Sequence, residues 1–134
     1  MSAHFNFAIE TARLRLRAWR ADDFPAFAQL NADAQVMRYF PSPLTQTESD
    51  ALAQTFQQFI NQNGWGFWAV ELKHSQEFIG FTGLHAQAEC FGFSPCVEIG
   101  WRLDSKFWHQ GYATEAAQAC LYFAFSVLDL DKVV

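Results

Sequence analysis

Basic residues are scarce in this sequence. Nine Lys and Arg stand against 14 Asp and Glu, which gives a formal net charge of -5. Because electrostatic binding of nucleic acid usually requires a basic face, this balance argues against a nucleic-acid partner. Charged residues make up only 17% of the 134 residues, whereas 51% are hydrophobic. Such a composition excludes a disordered chain and predicts one domain with a substantial hydrophobic core.

Cysteines are also few. The sequence has three cysteines, Cys90, Cys96 and Cys120, which is an odd number, and it has no C-x-x-C pair. We therefore expect no disulfide framework and a reducing cytoplasm as the compartment. Four zinc ligands could be supplied by His85, Cys90, Cys96 and His109, but their spacing matches no known ligand pattern. We expect no bound metal.

Long apolar runs are missing as well. No stretch approaches the roughly 18 apolar residues that a membrane-spanning helix needs. The first ten residues lack the basic and apolar regions of a signal peptide, so we expect neither a leader nor a membrane anchor. No G-x-G-x-x-G follows the first predicted strand, which excludes a Rossmann-type nucleotide enzyme.

Residues that alternate between polar and apolar predict strands. Arg13 to Arg17 alternates as a half-buried strand does. Phe67 to Leu72 and Phe78 to Leu84 predict an antiparallel hairpin around a polar turn. An irregular, aromatic-rich connection is expected from His85 to Pro95. A further strand is expected from Val97 to Leu103.

Helix signals separate these strands. An Asp cap at Asp22-Asp23 begins the first predicted helix. The second begins near Thr47 and Asp50, a candidate capping box, and ends within residues 61–64. In the third predicted helix, apolar residues recur at helical spacing from 113 to 128. The chain then enters what looks like a new strand at 132–134, so we expect the domain to continue beyond this point or another chain to complete its sheet.

The most informative segment is E-I-G-W-R-L-D-S-K-F-W-H-Q-G-Y-A-T-E at 98–115. A strand runs into a short loop, and Gly111 opens a helix whose first backbone N–H groups have no intrahelical partner. The helix dipole adds partial positive charge there, so such a terminus binds phosphate. Gly111 lacks a Cβ that would block a close approach, and Ala113 is small. A glycine that only eases the turn into the helix is the alternative.

This segment resembles the acetyl-CoA pyrophosphate loop of the GNAT superfamily of N-acetyltransferases, whose pattern is R/Q-x-x-G-x-G/A. It is especially similar to the RimJ/RimL-like branch, in which E-I-G-W-R-L precedes W-G-x-G-Y-A-T-E-A. Residues 10–17 and 68–84 are similar to that branch too, so the resemblance covers nearly the whole chain. Two positions depart from the pattern. Trp108 stands at the Arg or Gln position, and His109 replaces a glycine, where it either crowds the loop or offers an imidazole to a phosphate.

The resemblance implies an α+β, α/β/α-layered acyl-CoA N-acyltransferase fold. Its sheet is mixed and mostly antiparallel, with one splayed pair of parallel strands that receives the cofactor's thioester arm. Residues 1–134 would be a single such domain lacking its C-terminal strands and helix, and a homodimer stays open. Backbone groups are the implied contacts to acetyl-CoA: Trp101, Arg102 and Leu103 for the pantetheine, and His109, Gln110, Gly111, Tyr112, Ala113 and Thr114 for the pyrophosphate.

The implied reaction is direct attack of a primary amine, on a protein N-terminus or a small molecule, within a ternary complex. Because amines are mostly protonated at cytosolic pH, a group must accept a proton. Related enzymes often place a glutamate at the entry to the cofactor strand, which makes Glu98 the first candidate base, and His85 is the second. An exposed strand carboxylate and a solvated loop histidine are the alternatives. The family's proton donor to the thiolate is often a tyrosine, which would lie beyond Val134.

Other interpretations stay open. The Arg102 side chain either reaches an anionic part of the cofactor or faces solvent, and Glu115 is interpreted as a first-turn acid favoured by the helix dipole. A non-catalytic acyl-CoA-binding domain would bind the cofactor without turnover on any amine. An inactive truncated fragment would regain turnover once downstream sequence is restored.

Overall fold

A computed structural model describes residues 9–87 and 96–127 of the chain. Its five strands form one sheet in the order β1-β2-β3-β4-β5, and each neighbouring pair is antiparallel. The strands are β1 (Ile9–Glu10), β2 (Leu14–Arg17), β3 (Phe67–Leu72), β4 (Phe78–Gln87) and β5 (Cys96–Leu103). The helices are α1 (Asp23–Ala32), α2 (Gln46–Asn63) and α3 (Tyr112–Tyr122), with a 3-10 turn at Ser105–Phe107 and a π-helical turn at Phe123–Val127.

Side chains alternate along the strands and divide the core into two layers. The layer between the sheet and α3 contains the buried residues Leu14, Leu16, Trp68, Ala116 and Cys120. The layer between the sheet and the pair α1 and α2 contains Phe27, Leu30, Ala53, Ala69 and Phe81. Helices therefore cover both faces of the sheet, and the predicted α/β/α layering is confirmed.

Two predicted boundaries are wrong. β4 continues through His85 to Gln87, because β5 supplies a hydrogen-bonding partner strand for that stretch. His85 therefore lies in a strand and not in an irregular loop. The capping box of α2 is formed by Thr45 and Glu48, each of which bonds the other's backbone N–H, two residues before the predicted pair.

The first turn of α1 is tied to the sheet by a buried ion cluster. Arg17 donates to Asp23 through both terminal nitrogens, at 2.7 and 2.9 Å, and to Glu71 through Nε at 2.7 Å. Burial alone would lower the pKa of Arg17, but hydrogen bonds from its side chain to Asp23 and Glu71, with their charges, raise it. Asp22 makes no side-chain cap, so this cluster replaces the cap predicted from sequence.

Several predicted features lie outside the described residues. These are the aromatic connection over 88–95, the end of the third helix at 128 and the strand at 132–134. The predicted pair of parallel strands is not among the described residues, since all four pairings within that part of the chain are antiparallel. In that same part, no helix has the length and apolar character needed to cross a membrane.

Candidate functional site

The outer edge of β5 presents backbone groups away from the rest of the sheet. The backbone N–H of Asp104 donates to the carbonyl of Ile79 at 2.9 Å, in the register in which β4 and β5 pair. Because hydrogen-bonded and non-hydrogen-bonded pairs alternate in antiparallel sheets, the backbone groups of Arg102 point toward β4. Those of Trp101 and Leu103 point away from it. The backbone contact from Arg102 to a pantetheine, expected from sequence, therefore does not fit this geometry.

The turn after β5 completes a cavity of about 340 Å³. It lies between the end of β5 and the start of α3, and its lining comprises Trp101, Leu103, Phe107, Trp108, His109, Gly111, Tyr112, Ala113 and Thr114. The structure thus brings most of the predicted cofactor-binding residues together. Gln110 is not part of this lining, because its side-chain amide donates to the carbonyl of Lys106 at 3.2 Å. Trp108 uses its indole N–H to bond the outward carbonyl of Leu103 at 2.9 Å.

Two residues with left-handed backbone shape the loop before α3. Gly111 has φ 84° and His109 has φ 64°. A Cβ at Gly111 would lie 3.3 Å from Nη2 of Arg13, so the glycine serves the left-handed turn and the close approach of that arginine. Histidine at a position suited to glycine costs on the order of 1 kcal/mol of backbone strain. His109, which stands where the resemblance expects a glycine, therefore adopts the left-handed backbone that glycine favours.

The first turn of α3 supplies unpaired donors. Its first intrahelical hydrogen bond runs from the N–H of Glu115 to the carbonyl of Gly111 at 3.0 Å. The N–H groups of Tyr112, Ala113 and Thr114 precede it, so they have no acceptor within the helix. These three residues line the cavity, and the positive end of the helix dipole lies beside it. The cavity is therefore suited to a phosphate.

Arg13, Glu115 and Thr11, which we call the Arg13 brace, fix this loop to β2. The guanidinium of Arg13 donates to the carbonyl of Gln110 at 3.0 Å and to the Glu115 carboxylate at 2.7 Å. It also lies 4.4 Å from the ring centre of Tyr112. The backbone N–H of Arg13 and the hydroxyl of Thr11 donate to the same carboxylate.

The charge on Glu115 is stabilised by the brace. Burial alone would raise the pKa of this carboxyl, but hydrogen bonds from Thr11 and Arg13, with the charge of Arg13, lower it. The sequence suggests only a first-turn acid favoured by the helix dipole. It gives no signal for this contact, because residues 13 and 115 are far apart along the chain and no local pattern links them.

The two candidate bases lie side by side on the face of the sheet that α2 covers. His85 and Glu98 are directly opposed across β4 and β5, which places their Cβ atoms about 4.5–5.5 Å apart. The imidazole of His85 stacks on Phe67, with ring centres 5.5 Å apart, and contacts Phe59 at 5.0 Å. A cavity of about 170 Å³ between α2 and the sheet is lined partly by these three rings. His85 is therefore not the solvated loop histidine of the alternative interpretation.

Metal ligation finds no support in the part of the chain that is described. Within residues 9–87 and 96–127, no three His, Cys, Asp or Glu side chains cluster to hold a metal ion. His85 lies on the face covered by α2, and His109 lies in the loop before α3. Cys90 is outside the described residues.

The fold, with helices on both faces of the five-stranded sheet, is that of an acyltransferase domain. Residues 13–134 match the acetyltransferase (GNAT) domain family, and the chain belongs to this family. It is an N-acetyltransferase, and acetyl-CoA-dependent N-acetylation is its general reaction.

Individual relatives agree with this assignment. The uncharacterised N-acetyltransferase YnaD of Bacillus subtilis is 32% identical over 129 residues, covering 94% of this chain and 70% of YnaD. The crystal structure of an acetyltransferase from Agrobacterium tumefaciens is 26% identical, with a TM-score of 0.79, and the match covers 99% of this chain and 75% of that one.

Two further structures are similar in fold alone. RimL, an acetyltransferase of ribosomal protein L7/L12, is 22% identical, with a TM-score of 0.67, and the match covers 92% of this chain and 66% of the RimL chain. The spermidine N-acetyltransferase of Vibrio cholerae is 22% identical, with a TM-score of 0.68, and the match covers 92% of this chain and 70% of that one.

Proposed function

We propose that this chain binds acetyl-CoA with the pyrophosphate at the start of α3 and transfers the acetyl group to a primary amine. The observation that carries the proposal is the cavity formed by the N–H groups of 112–114, which have no acceptor within the helix, and the outer edge of β5. A charge-assisted hydrogen bond contributes about 1.5–3 kcal/mol. Several such bonds would supply most of the roughly 8 kcal/mol of a micromolar affinity without any basic residue in the loop.

The outer edge of β5 would hold the rest of the cofactor. The N–H groups of Trp101 and Leu103 point outward, and a pantetheine arm would pair with them as an added strand does. Because a strand rises about 3.4 Å per residue, Glu98 lies about 17 Å from Leu103 along β5. An extended arm that begins at the loop would therefore run toward Glu98. Acetyl-CoA supplies an acetyl group already activated as a thioester.

Glu98 is the proposed base, and His85 is the second candidate. Both groups lie on the same face of the sheet, beside the cavity under α2, and so on the face opposite α3. A carboxylate there would accept the proton of an incoming ammonium group directly or through water. We propose that the chain belongs to the RimJ/RimL-like branch, because the residues of the loop and of β5 resemble that branch. The fold neighbours act on a protein N-terminus and on spermidine, so the acceptor must be inferred from this chain's own side chains.

Thr114→Glu tests the phosphate site. Thr114 is exposed, lines the cavity and occupies the third position of α3, where an acidic residue is compatible with the helix dipole. We expect the variant to fold and to lose at least about tenfold in affinity for CoA, equivalent to 1.4 kcal/mol, in calorimetric titrations.

Two control variants separate charge at the cavity from other effects. Thr114→Gln has the size of the test substitution without its charge. Gln118→Glu adds the same charge at an exposed position one turn further along α3. Wild-type affinity in a folded Thr114→Glu protein, or an equal loss in Gln118→Glu, would contradict the proposed site.

A further inference from the structure

Arg102 of β5 projects onto the face of the sheet covered by α1 and α2. Its Nη1 donates to Oδ1 of Asn31 at 2.7 Å, and its guanidinium lies 4.5 Å from the ring centre of Phe40 and 5.3 Å from that of Phe81. Asn31 is fully buried and donates to the Ser49 hydroxyl at 2.9 Å. Its free amide oxygen is thereby directed at the arginine, which holds the guanidinium in place.

The charge of Arg102 is not neutralised by the described residues. None of the ion pairs between them includes Arg102, and its buried Nε has no hydrogen-bond partner in the described part of the chain. Arg17 shows the contrast, because its charge is balanced by Asp23 and Glu71. Burial lowers the pKa of Arg102, whereas the pKa of Arg17 is raised despite burial. A buried donor without an acceptor costs free energy, which a bound anion would recover.

The anion does not belong to the cofactor in this geometry. Leu103, the next residue, packs with α3, so the side chain of Arg102 lies on the opposite face from the phosphate cavity. This corrects the expectation that Arg102 contacts an anionic part of acetyl-CoA or simply faces solvent. Glu98 lies on the same face as Arg102, and the two Cα atoms are about 14 Å apart at 3.4 Å per residue.

We propose that Arg102 binds a carboxylate carried by the amine acceptor, so that the substrate class is an aminocarboxylate. The inference rests on the proposed function, with Glu98 at the amine end of the site. Opposite charges at the two ends of one strand face complement a molecule with an amine and a carboxylate. A polyamine would bring a second cation toward Arg102, which like-charge repulsion disfavours.

The test compares acceptors that differ only in the group far from the reacting amine. Acetyl transfer is measured for ω-aminocarboxylates with two to eight carbons, and for n-alkylamines and α,ω-diamines of equal length. We expect at least one aminocarboxylate to exceed both matched amines in kcat/KM by about tenfold or more. Arg102→Gln should remove this preference, a loss of roughly 10- to 100-fold for the aminocarboxylates relative to the alkylamines measured with the same variant.

Arg38→Gln is the matched control. Arg38 is exposed and also lies over an aromatic ring, 4.8 Å from the centre of Tyr39, so its removal should leave the preference intact. The same ligands are titrated calorimetrically in the presence of CoA, which gives the preference as a ratio of Kd values even without turnover. The melting temperature of each variant reports whether it folds, and Arg102→Lys provides a variant that retains the charge.

Each outcome decides between the proposals. A wild-type protein without preference for aminocarboxylates, or a folded Arg102→Gln protein that keeps the preference, overturns the role of Arg102. A separate calorimetric titration with CoA alone gives its affinity, and if Arg102→Gln binds CoA as the wild type does, the proposed function stands. Absence of CoA binding instead overturns the proposed function itself.

Discussion

Replacing Glu115 with glutamine tests the Arg13 brace most sharply. The carboxylate accepts hydrogen bonds from the Thr11 hydroxyl, the Arg13 backbone N–H and Nε of Arg13. Glutamine keeps the size of the side chain and one acceptor oxygen, but it loses the charge. An ordinary hydrogen bond contributes about 1 kcal/mol. Because the Arg13 side chain is 43% exposed, its ion pair adds no more than about 1 kcal/mol. We expect the free energy of unfolding to fall by about 1–2 kcal/mol.

The same substitution should weaken acetyl-CoA binding although Glu115 does not line the cavity. Arg13 holds the carbonyl of Gln110 and the ring of Tyr112, and Glu115 holds Arg13. If the free energy that favours the ordered loop falls by about 1 kcal/mol, the Kd for CoA rises about fivefold. Calorimetric titration gives the Kd, and urea unfolding of the same preparation gives the stability.

The dependence on pH has a definite sign. Because the pKa of Glu115 is lowered in the folded protein, its stabilising contribution is fully present above the ordinary carboxyl pKa of about 4.3. The contribution is lost as the pH falls through the lowered pKa of the folded state. The stability of the wild type should therefore decrease more steeply below about pH 4.3 than that of Glu115→Gln.

Glu77→Gln is the control for the brace. Glu77 pairs with Lys106 at 3.6 Å, and both side chains are well exposed, so its removal should change stability by less than about 0.5 kcal/mol. Wild-type stability and affinity in Glu115→Gln, or equal losses in Glu77→Gln, would refute the reasoning.

Two further predictions concern the buried ion cluster and the proposed base. Arg17→Met should lower the free energy of unfolding by about 3–5 kcal/mol, because it leaves Asp23 buried without its cation. Glu71 loses its shortest ion pair and keeps only the longer ones to Arg15 and Arg20. Urea denaturation measures the change, and a loss below about 1 kcal/mol would contradict the prediction. Glu98→Gln should lower kcat for acetyl transfer without changing the Kd for CoA. Equal turnover would remove Glu98 from the mechanism and leave His85 as the candidate base.

Local patterns were sufficient for most of the fold. Alternation predicts a strand over 13–17, of which 14–17 form β2, and it also predicts the hairpin of β3 and β4. Helical spacing predicts α3. Each of these signals depends only on neighbours along the chain. The predicted end of β4 is wrong because residues 85–87 form a strand by pairing with β5, and no local pattern reveals that pairing. The capping box was wrong by two residues, since Thr45 and Thr47 each precede an acidic residue at the required spacing.

Some features of the candidate site could likewise be predicted from local sequence, and others depend on how distant segments pack. The loop around Gly111 could be predicted because backbone donors at a helix start depend on a short segment. The Arg13 brace and the surroundings of Arg102 could not, because Glu115 and Asn31 are brought to them only by the packing of helices on the sheet. The sequence left two interpretations of Arg102 open, and the direction of its side chain differs from both.

Alternation along β5 would let one strand contact both substrates of the proposed reaction. Trp101 and Leu103 line the cavity next to α3, and their backbone groups form the outer edge. Glu98 and Arg102 project onto the opposite face, where Glu98 is opposed to His85 across the strands and Arg102 donates to Asn31 of α1. Because the side-chain period is two, a shift of one residue in the register of β5 would exchange these roles. Substitutions at 98 and 102 should therefore change the choice of acceptor while the affinity for CoA stays constant. Substitutions at 101 and 103 should change the affinity for CoA and leave the choice of acceptor as it is.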